Sequence, residues 1–471
     1  MKDKNIVLII TCFSSFLVPF TSSSINIALP SIGRDFGVDS IFLGWVTTSY
    51  ILATAVLLLP FGKIGDIYGR IKIFLYGIII FAVASFLSMI SFLPYLFLIF
   101  RIIHAIGSAM IFSNGIAILS SFFREERGKA LGINASFTYA GLSSGPFIGG
   151  FLTSYFGWRS IFLLMILICI LIIFFLSRFK YEFSGNYEKF DYFGSFFSGA
   201  FIISIIYAIS IIDSIRGIII AIFSFLLFIF FIFWESKTKN PLISPSIFGK
   251  NIVFIFSNLT ALIHYTATAS LTFFMSLYLQ NIKNYSASFA GLILVSQPIF
   301  QAIFSPTAGK LSDRIDAKII ASLGIGLTAL GIFSLALYIR NDPGLIIIVG
   351  ILSLIGFGFA FFSSPNTNAI MASVEGKEYG IASATLATMR TIGQSASMGI
   401  AILLTKNYSF VDAMEKAFII SAILCIIGIF TSIARGRGPV EQKKKIKFIS
   451  FIYFKRREWD ELERNRFGKK W

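Results

Sequence analysis

Four ionisable side chains sit inside long apolar stretches of this chain: Arg101, His104, His264 and Arg390. Taking charge into a bilayer is costly, so such residues are functional candidates by default. Arg101 and His104 stand three apart and share a helix face, with Ser108 one turn on. His264 has Thr260 and Thr268 one turn to either side, and Arg390 shares a face with Gln394. Imidazole titrates near neutral pH and can carry a proton; these are the chain's two histidines. A guanidinium can meet an anionic substrate, repel a proton, or hold a structural network together. Asn26, Gln297, Gln301, Asn366 and Asn368 add uncharged polar groups. No Asp or Glu lies deep in an apolar run: all 23 fall in intervening segments, in tails or within about a turn of a run's end.

Several chemistries lack their residues. There is no HExxH, no buried pair of acids and no Cys/His cluster, so no catalytic residue, metal or cofactor is assigned. The G-x-x-x-x-G-K-[ST] loop of ATP-driven machines is absent too. Cys12, Cys169 and Cys425 each lie in an apolar run and read as packing residues.

Two short polar stretches repeat. Gly62-Lys63-Ile64-Gly65-Asp66-Ile67-Tyr68-Gly69-Arg70 and Gly309-Lys310-Leu311-Ser312-Asp313-Arg314 share G-K-[IL]-x-D at an offset of 247 residues, each after a long apolar run. Glycine permits a tight turn, an aspartate near a helix N-terminus meets a favourable dipole, and Arg70 or Arg314 can pair with it. Made and broken as two halves rock, such a set shifts the balance between two conformations. A single polar turn need do nothing of the kind; its recurrence in register favours gating. Gly141, Gly145 and Gly149 line one helix face, where small residues let membrane helices pack backbone to backbone, and Pro146 favours a kink.

The elements that must position these groups are membrane spans. Of 471 residues, 56% are hydrophobic and only 13% charged, against about 25% charged in a soluble domain. Runs long enough to cross the hydrocarbon core fall at 5–27, 41–62, 73–92, 95–120, 130–153, 160–178, 192–212 and 216–235, then at 253–279, 288–309, 318–338, 344–368, 381–405 and 415–434. The last pair before 415, 344–368 and 381–405, is interrupted by polar residues. With the N-terminus inside, inward segments carry 31 Lys/Arg and outward ones 7. This is the positive-inside pattern, and it accounts for the net charge of +17 without a nucleic-acid partner. Trp45, Trp158 and Trp234 fall near run ends, as interfacial anchors do. The basic stretch from Arg435 onward, with Phe448, Phe451, Phe454 and Trp459 interspersed, reads either as a surface helix drawn to anionic lipid or as a solvated tail.

The Gly62–Arg70 stretch resembles the signature loop of the major facilitator superfamily. Arg101-Ile102-Ile103-His104-Ala105-Ile106-Gly107 is similar to its fourth-helix R-x-x-Q-G-x-G pattern, and Gly141 to Gly150 to its fifth-helix antiporter signature. Ser23 to Pro30 is similar to the first-helix T-I-V-N-V-A-L-P of the fourteen-helix drug:proton antiporters. The resemblance implies an all-α integral membrane protein of about fourteen transmembrane helices with both termini cytoplasmic: a six-helix bundle (1–178), two additional linking helices (179–240), a second six-helix bundle (241–434) and a basic cytoplasmic tail (435–471). It implies a multi-pass carrier in the cell membrane, a monomer that moves a small molecule in exchange with protons. His104 and His264 would then border the central cavity, where their proton would replace that of the missing first-helix carboxylate, whose position is held by Thr21. His104 stands where the family pattern has glutamine, so a hydrogen-bonding role competes. Two substrate classes stay open: hydrophobic or amphipathic compounds exported as drugs, and a specific, anionic metabolite carried without proton antiport.

Overall fold

The computed structural model describes residues 2–38, 40–178, 189–243, 251–285, 287–341 and 343–436. Their regular structure is helical throughout: α1 (Lys2–Phe36), α2 (Ser40–Tyr68), α3 (Arg70–Met89), α4 (Pro94–Phe122), α5 (Arg127–Phe156), α6 (Arg159–Ser177), α7 (Tyr192–Ser210), α8 (Ile215–Lys237), α9 (Ile252–Leu277), α10 (Ala287–Leu294), α11 (Ser296–Ser312), α12 (Ala317–Tyr338), α13 (Leu345–Ser373), α14 (Tyr379–Asn407) and α15 (Phe410–Ala434). Short 3-10 and π turns add to these.

Local chemistry sets the breaks. Gly37, Gly69 and Gly157 adopt positive φ at three of the turns, where a side chain would be strained. Pro94 opens α4, where its missing N–H costs nothing. Asp191, Ser214, Asn251, Asp316 and Ser409 cap the helices that follow them by accepting a backbone N–H.

Twelve helices among the described residues are long and apolar enough to cross a membrane, with α10 and α11 together supplying one of them, Phe289–Ser312. The sequence reading expected about fourteen. The two expected runs that miss this measure lie in α5 and α14, which are 30 and 29 residues long but rich in Gly, Ser, Thr and Ala. Many of these small residues, among them Gly132, Gly141, Gly145, Ser383, Ala384 and Gly393, are buried against other helices.

The pairing of helices repeats. In the first half α1 packs on α5, α3 on α4 and α6, and α2 on α4; in the second, α9 packs on α14, α12 on α13 and α15, and α11 on α13. The halves meet along two seams, α5 against α11 and α2 against α14. The pair α7–α8 lies beside them, with α7 touching both α2 and α14.

Arg435, the first residue of the basic stretch, is buried. It donates to Ser257, Asn366, Ser432 and the Ala317 carbonyl. Burial pulls its pKa down to about 10, so it stays charged and fastens the end of α15. The remainder of the tail, residues 437–471, lies outside the described residues.

Candidate functional site

The strongest ties between the two halves lie near the helix ends that bear the basic segments, while deeper along the seam Ser136 donates to the Ala302 carbonyl and Tyr139 meets Ser363 and Tyr265. Asp66, in the last turn of α2, accepts from the backbone N–H of Gly380 (3.1 Å) and Ile381 (3.1 Å) at the start of α14. Asp313, just past α11, accepts from Gly128 (2.7 Å) and Lys129 (3.0 Å) at the start of α5. Each repeated aspartate thus caps a helix of the opposite half, where exposed N–H groups and the helix dipole favour an anion.

Cations complete the latch unequally. Arg70 pairs with Asp66 at 2.6 Å and reaches the Gly376 carbonyl across the seam at 2.5 Å. Arg314, expected to do the same for Asp313, is exposed, and no side-chain partner is seen for it among the described residues. Arg127 serves instead from the other half, bonding Asn368, the Met371 carbonyl and Tyr379 while its charge faces Asp313. The glycines allow close approach: a Cβ at Gly62 would lie 2.8 Å from the Gly380 carbonyl, and Gly128 and Gly309 leave no room for a Cβ on either. Gly69 supplies the positive φ between α2 and α3.

Further from the latch, the halves enclose a cavity of about 40 Å³ lined by Ser15, Asn134, Tyr139, Ser364, Thr367 and Arg390 among others. That is room for about one water. Arg390 stands eleven residues into α14, about 16 Å from its end. It donates to Thr367 at 3.0 Å and lies 5.5 Å from the centre of the Tyr265 ring, while its Nε has no partner. Among the described residues no carboxylate pairs with it.

Neither histidine faces this space. His104 is buried against Phe81, with ring centroids 3.8 Å apart. Arg101 can only donate, so His104 Nδ1 accepts from it at 3.0 Å and the ring proton sits on Nε2, 3.2 Å from Ser85. Arg101 also lies 4.2 Å from the Tyr50 ring centre, and Tyr50 bonds Ser108. This network lies wholly inside the first half, although Arg101 Nε, like that of Arg390, has no partner. His264 is equally buried, stacked on Phe362 at 4.0 Å, with neither ring nitrogen partnered. The expectation that both border the cavity is therefore corrected: aromatic packing turns them into the bundles.

The other expected residues are dispersed. Gly141, Gly145 and Gly149 press on Phe16, Ser23 and Ser24 of α1 within the same half, and Pro146 lies beside them in α5. Gln297 and Gln301 are buried on α11. Asn26 is exposed and accepts from Thr47.

A sequence model of the Major Facilitator Superfamily matches residues 11–189 and 257–467. The chain belongs to the Major Facilitator Superfamily. As a member of that superfamily it is a membrane transporter, and the unmatched residues 190–256 contain α7 and α8. The riboflavin transporter RibZ of Clostridioides difficile is 31% identical over 92% of this chain and 98% of its own length. The multidrug resistance protein Stp of Mycobacterium tuberculosis is 27% identical over 85% of this chain and 75% of its own length. The crystal structure of the human organic anion transporter MFSD10 shares the superfamily fold, with a TM-score of 0.69 at 13% identity, covering 91% of this chain and 99% of that one.

Sequence reasoning missed Arg127, Tyr139 and Tyr265. A signal existed for the first: the latch receivers share Gly-x-Ala, at Gly128-Lys129-Ala130 and Gly380-Ile381-Ala382. For the tyrosines there was none, since aromatic residues are everywhere in this chain.

Proposed function

We propose that the protein is an alternating-access carrier of a small aromatic metabolite rich in hydrogen-bond acceptors, of the flavin class, in the cell membrane. Arg390 is the observation that carries this reading. A guanidinium at mid-depth, flanked by Tyr139 and Tyr265 with its Nε unsatisfied, offers a planar donor fork and ring faces to a carbonyl-bearing or anionic aromatic. A cationic drug would meet repulsion there. Similarity to RibZ supports the flavin class.

In this reading fourteen helices cross the bilayer with both termini cytoplasmic. Two six-helix bundles carry the site, and α7–α8, lying outside the superfamily match, link them. The basic end is then cytoplasmic and latched shut, so the site takes substrate from the opposite side. The histidines play no part in binding, Arg101 holds α4 in place, and Asn26 stands at the mouth of the open side.

Export of amphipathic drugs is the second reading, favoured by similarity to Stp. Counterflow in liposomes separates the two. Preloaded riboflavin should drive uptake of labelled riboflavin, with Arg390→Gln raising KM at least tenfold, the loss of a charge-assisted bond of about 1.5–3 kcal/mol. Counterflow of a cationic dye without any of riboflavin would select drug export.

A further inference from the structure

The sequence places no acid pair deep in an apolar run, but the structure brings two acids together at the basic end of the linking helices. Asp191 caps α7 through Gly194 N–H at 2.8 Å and accepts from the Trp234 indole at 3.1 Å on Oδ2. Glu235, in the last turn of α8, is 3% exposed. Its Oε2 accepts from the Ile243 N–H at 2.9 Å, and its Oε1 has no partner. A Cβ on Gly194 would strike both Glu235 Oε1 and Asp191 Oδ2, each within 2.5 Å. The two oxygens are therefore at most about 5 Å apart, a separation at which two ionised carboxylates repel strongly.

Among the described residues the charged groups around them are few. From α2, Lys63 of the signature loop is the cation whose charge reaches Glu235; Asp191 is the facing anion; Lys237, next along α8, lies instead over the Phe233 ring. No basic side chain bonds either carboxylate among the described contacts, and the orphan oxygen sits where an acid would need a partner.

We propose that Glu235 and Asp191 form a proton-binding site, holding one proton between Glu235 Oε1 and Asp191 Oδ2. With the proton bound, the Glu235 hydroxyl donates to Asp191, and no buried polar atom of the pair is left unsatisfied. When the proton leaves to water at the basic end, two carboxylates remain and the field at Lys63 becomes more negative. The site therefore reports pH to the very loop that carries Asp66, from helices outside the two bundles. It does not depend on which substrate is carried.

Trp234 provides the readout. Full-length protein in nanodiscs is titrated between about pH 5 and 9, following tryptophan emission in wild type and in Trp234→Phe, whose difference isolates Trp234. A reversible one-proton transition is expected in that difference, and Glu235→Gln and Asp191→Asn should each abolish it. Infrared difference spectra of wild type should show a protonated-carboxyl band that Glu235→Gln removes. A difference emission that stays flat across the range overturns the proposal without requiring either carboxylate variant to fold. So does a transition that survives in both folded variants. A transition that follows sodium concentration at constant pH also overturns it, replacing the proton with a metal cation.

Discussion

Arg101 and Arg390 are both buried or half-buried arginines without a carboxylate, yet their surroundings separate them. Arg101 has an acceptor in His104 and a ring in Tyr50, all within one half; Arg390 faces a boundary that must open. The His104 network predicts an asymmetry between two substitutions. Glutamine can accept from Arg101 and donate to Ser85, so His104→Gln should fold and transport like wild type. His104→Leu leaves a buried guanidinium without its acceptor and should cost about 3–5 kcal/mol, read as a large fall in thermal stability in detergent. A pH-dependent transport rate lost in both variants alike would instead give His104 a proton-carrying role. The sequence exposed these four ionisable residues at once, because charge is so rare in an apolar chain. It could not tell which of them face the cavity, since facing depends on helix rotation, and every helix here has apolar residues on all sides.

At the scale of elements, the latch joins two loops to two helix starts, and its glycines govern how closely they approach. Gly309→Ala puts a Cβ against the Gly128 carbonyl, an overpacking penalty of about 1–3 kcal/mol paid only in the closed arrangement. Spin labels on cysteines at Glu125 and Lys310 should report a population shift to longer distances; an unchanged distribution would remove the close approach from the mechanism. Asp313 adds a pH dependence. Burial holds its carboxyl above the ordinary range while the latch is shut, with the N–H groups of Lys129 and Gly128 opposing that rise. Opened to water, it returns to about 3.9. Since the closed form binds this proton more tightly, closing is favoured as pH falls and that contribution is lost as pH rises through the raised value. The same labels should lengthen on raising the pH, and Asp313→Asn should flatten that step. The repeated G-K-x-x-D made the loops legible from sequence. Their receivers were not, because backbone N–H groups carry no residue signature and Arg127 replaces Arg314 from the far side of the seam.

Across the whole molecule, the two halves repeat one packing scheme, and α7–α8 stand outside it. Asp213 at their turn pairs with Lys406 at the end of α14, while Asp191 and Glu235 lie at their other end. If both helices span, impermeant maleimide on intact cells should label Arg216→Cys, and Lys239→Cys only after permeabilisation. The native thiols are buried and give a silent background. Labelling of both from the same side would reduce the crossing helices to twelve. Length and apolarity made most spans legible in the sequence. α5 and α14 were legible only by counting, because the small polar residues that let them slide along α11 and α2 also lower their apolarity.

The latch also bears on how such a carrier can change over generations. Each aspartate is held by peptide N–H groups at Gly128, Lys129, Gly380 and Ile381, and any residue but proline supplies that donor. Drift at Lys129 and Ile381 leaves their hydrogen bonds in place, whereas a side chain at Gly128 or Gly380 would strike Asp313 or Asp66 and the opposing backbone. The lock is thus inherited partly as peptide donors that tolerate change and partly as two glycines that do not, which places the freedom to be retuned for new cargo elsewhere in the chain.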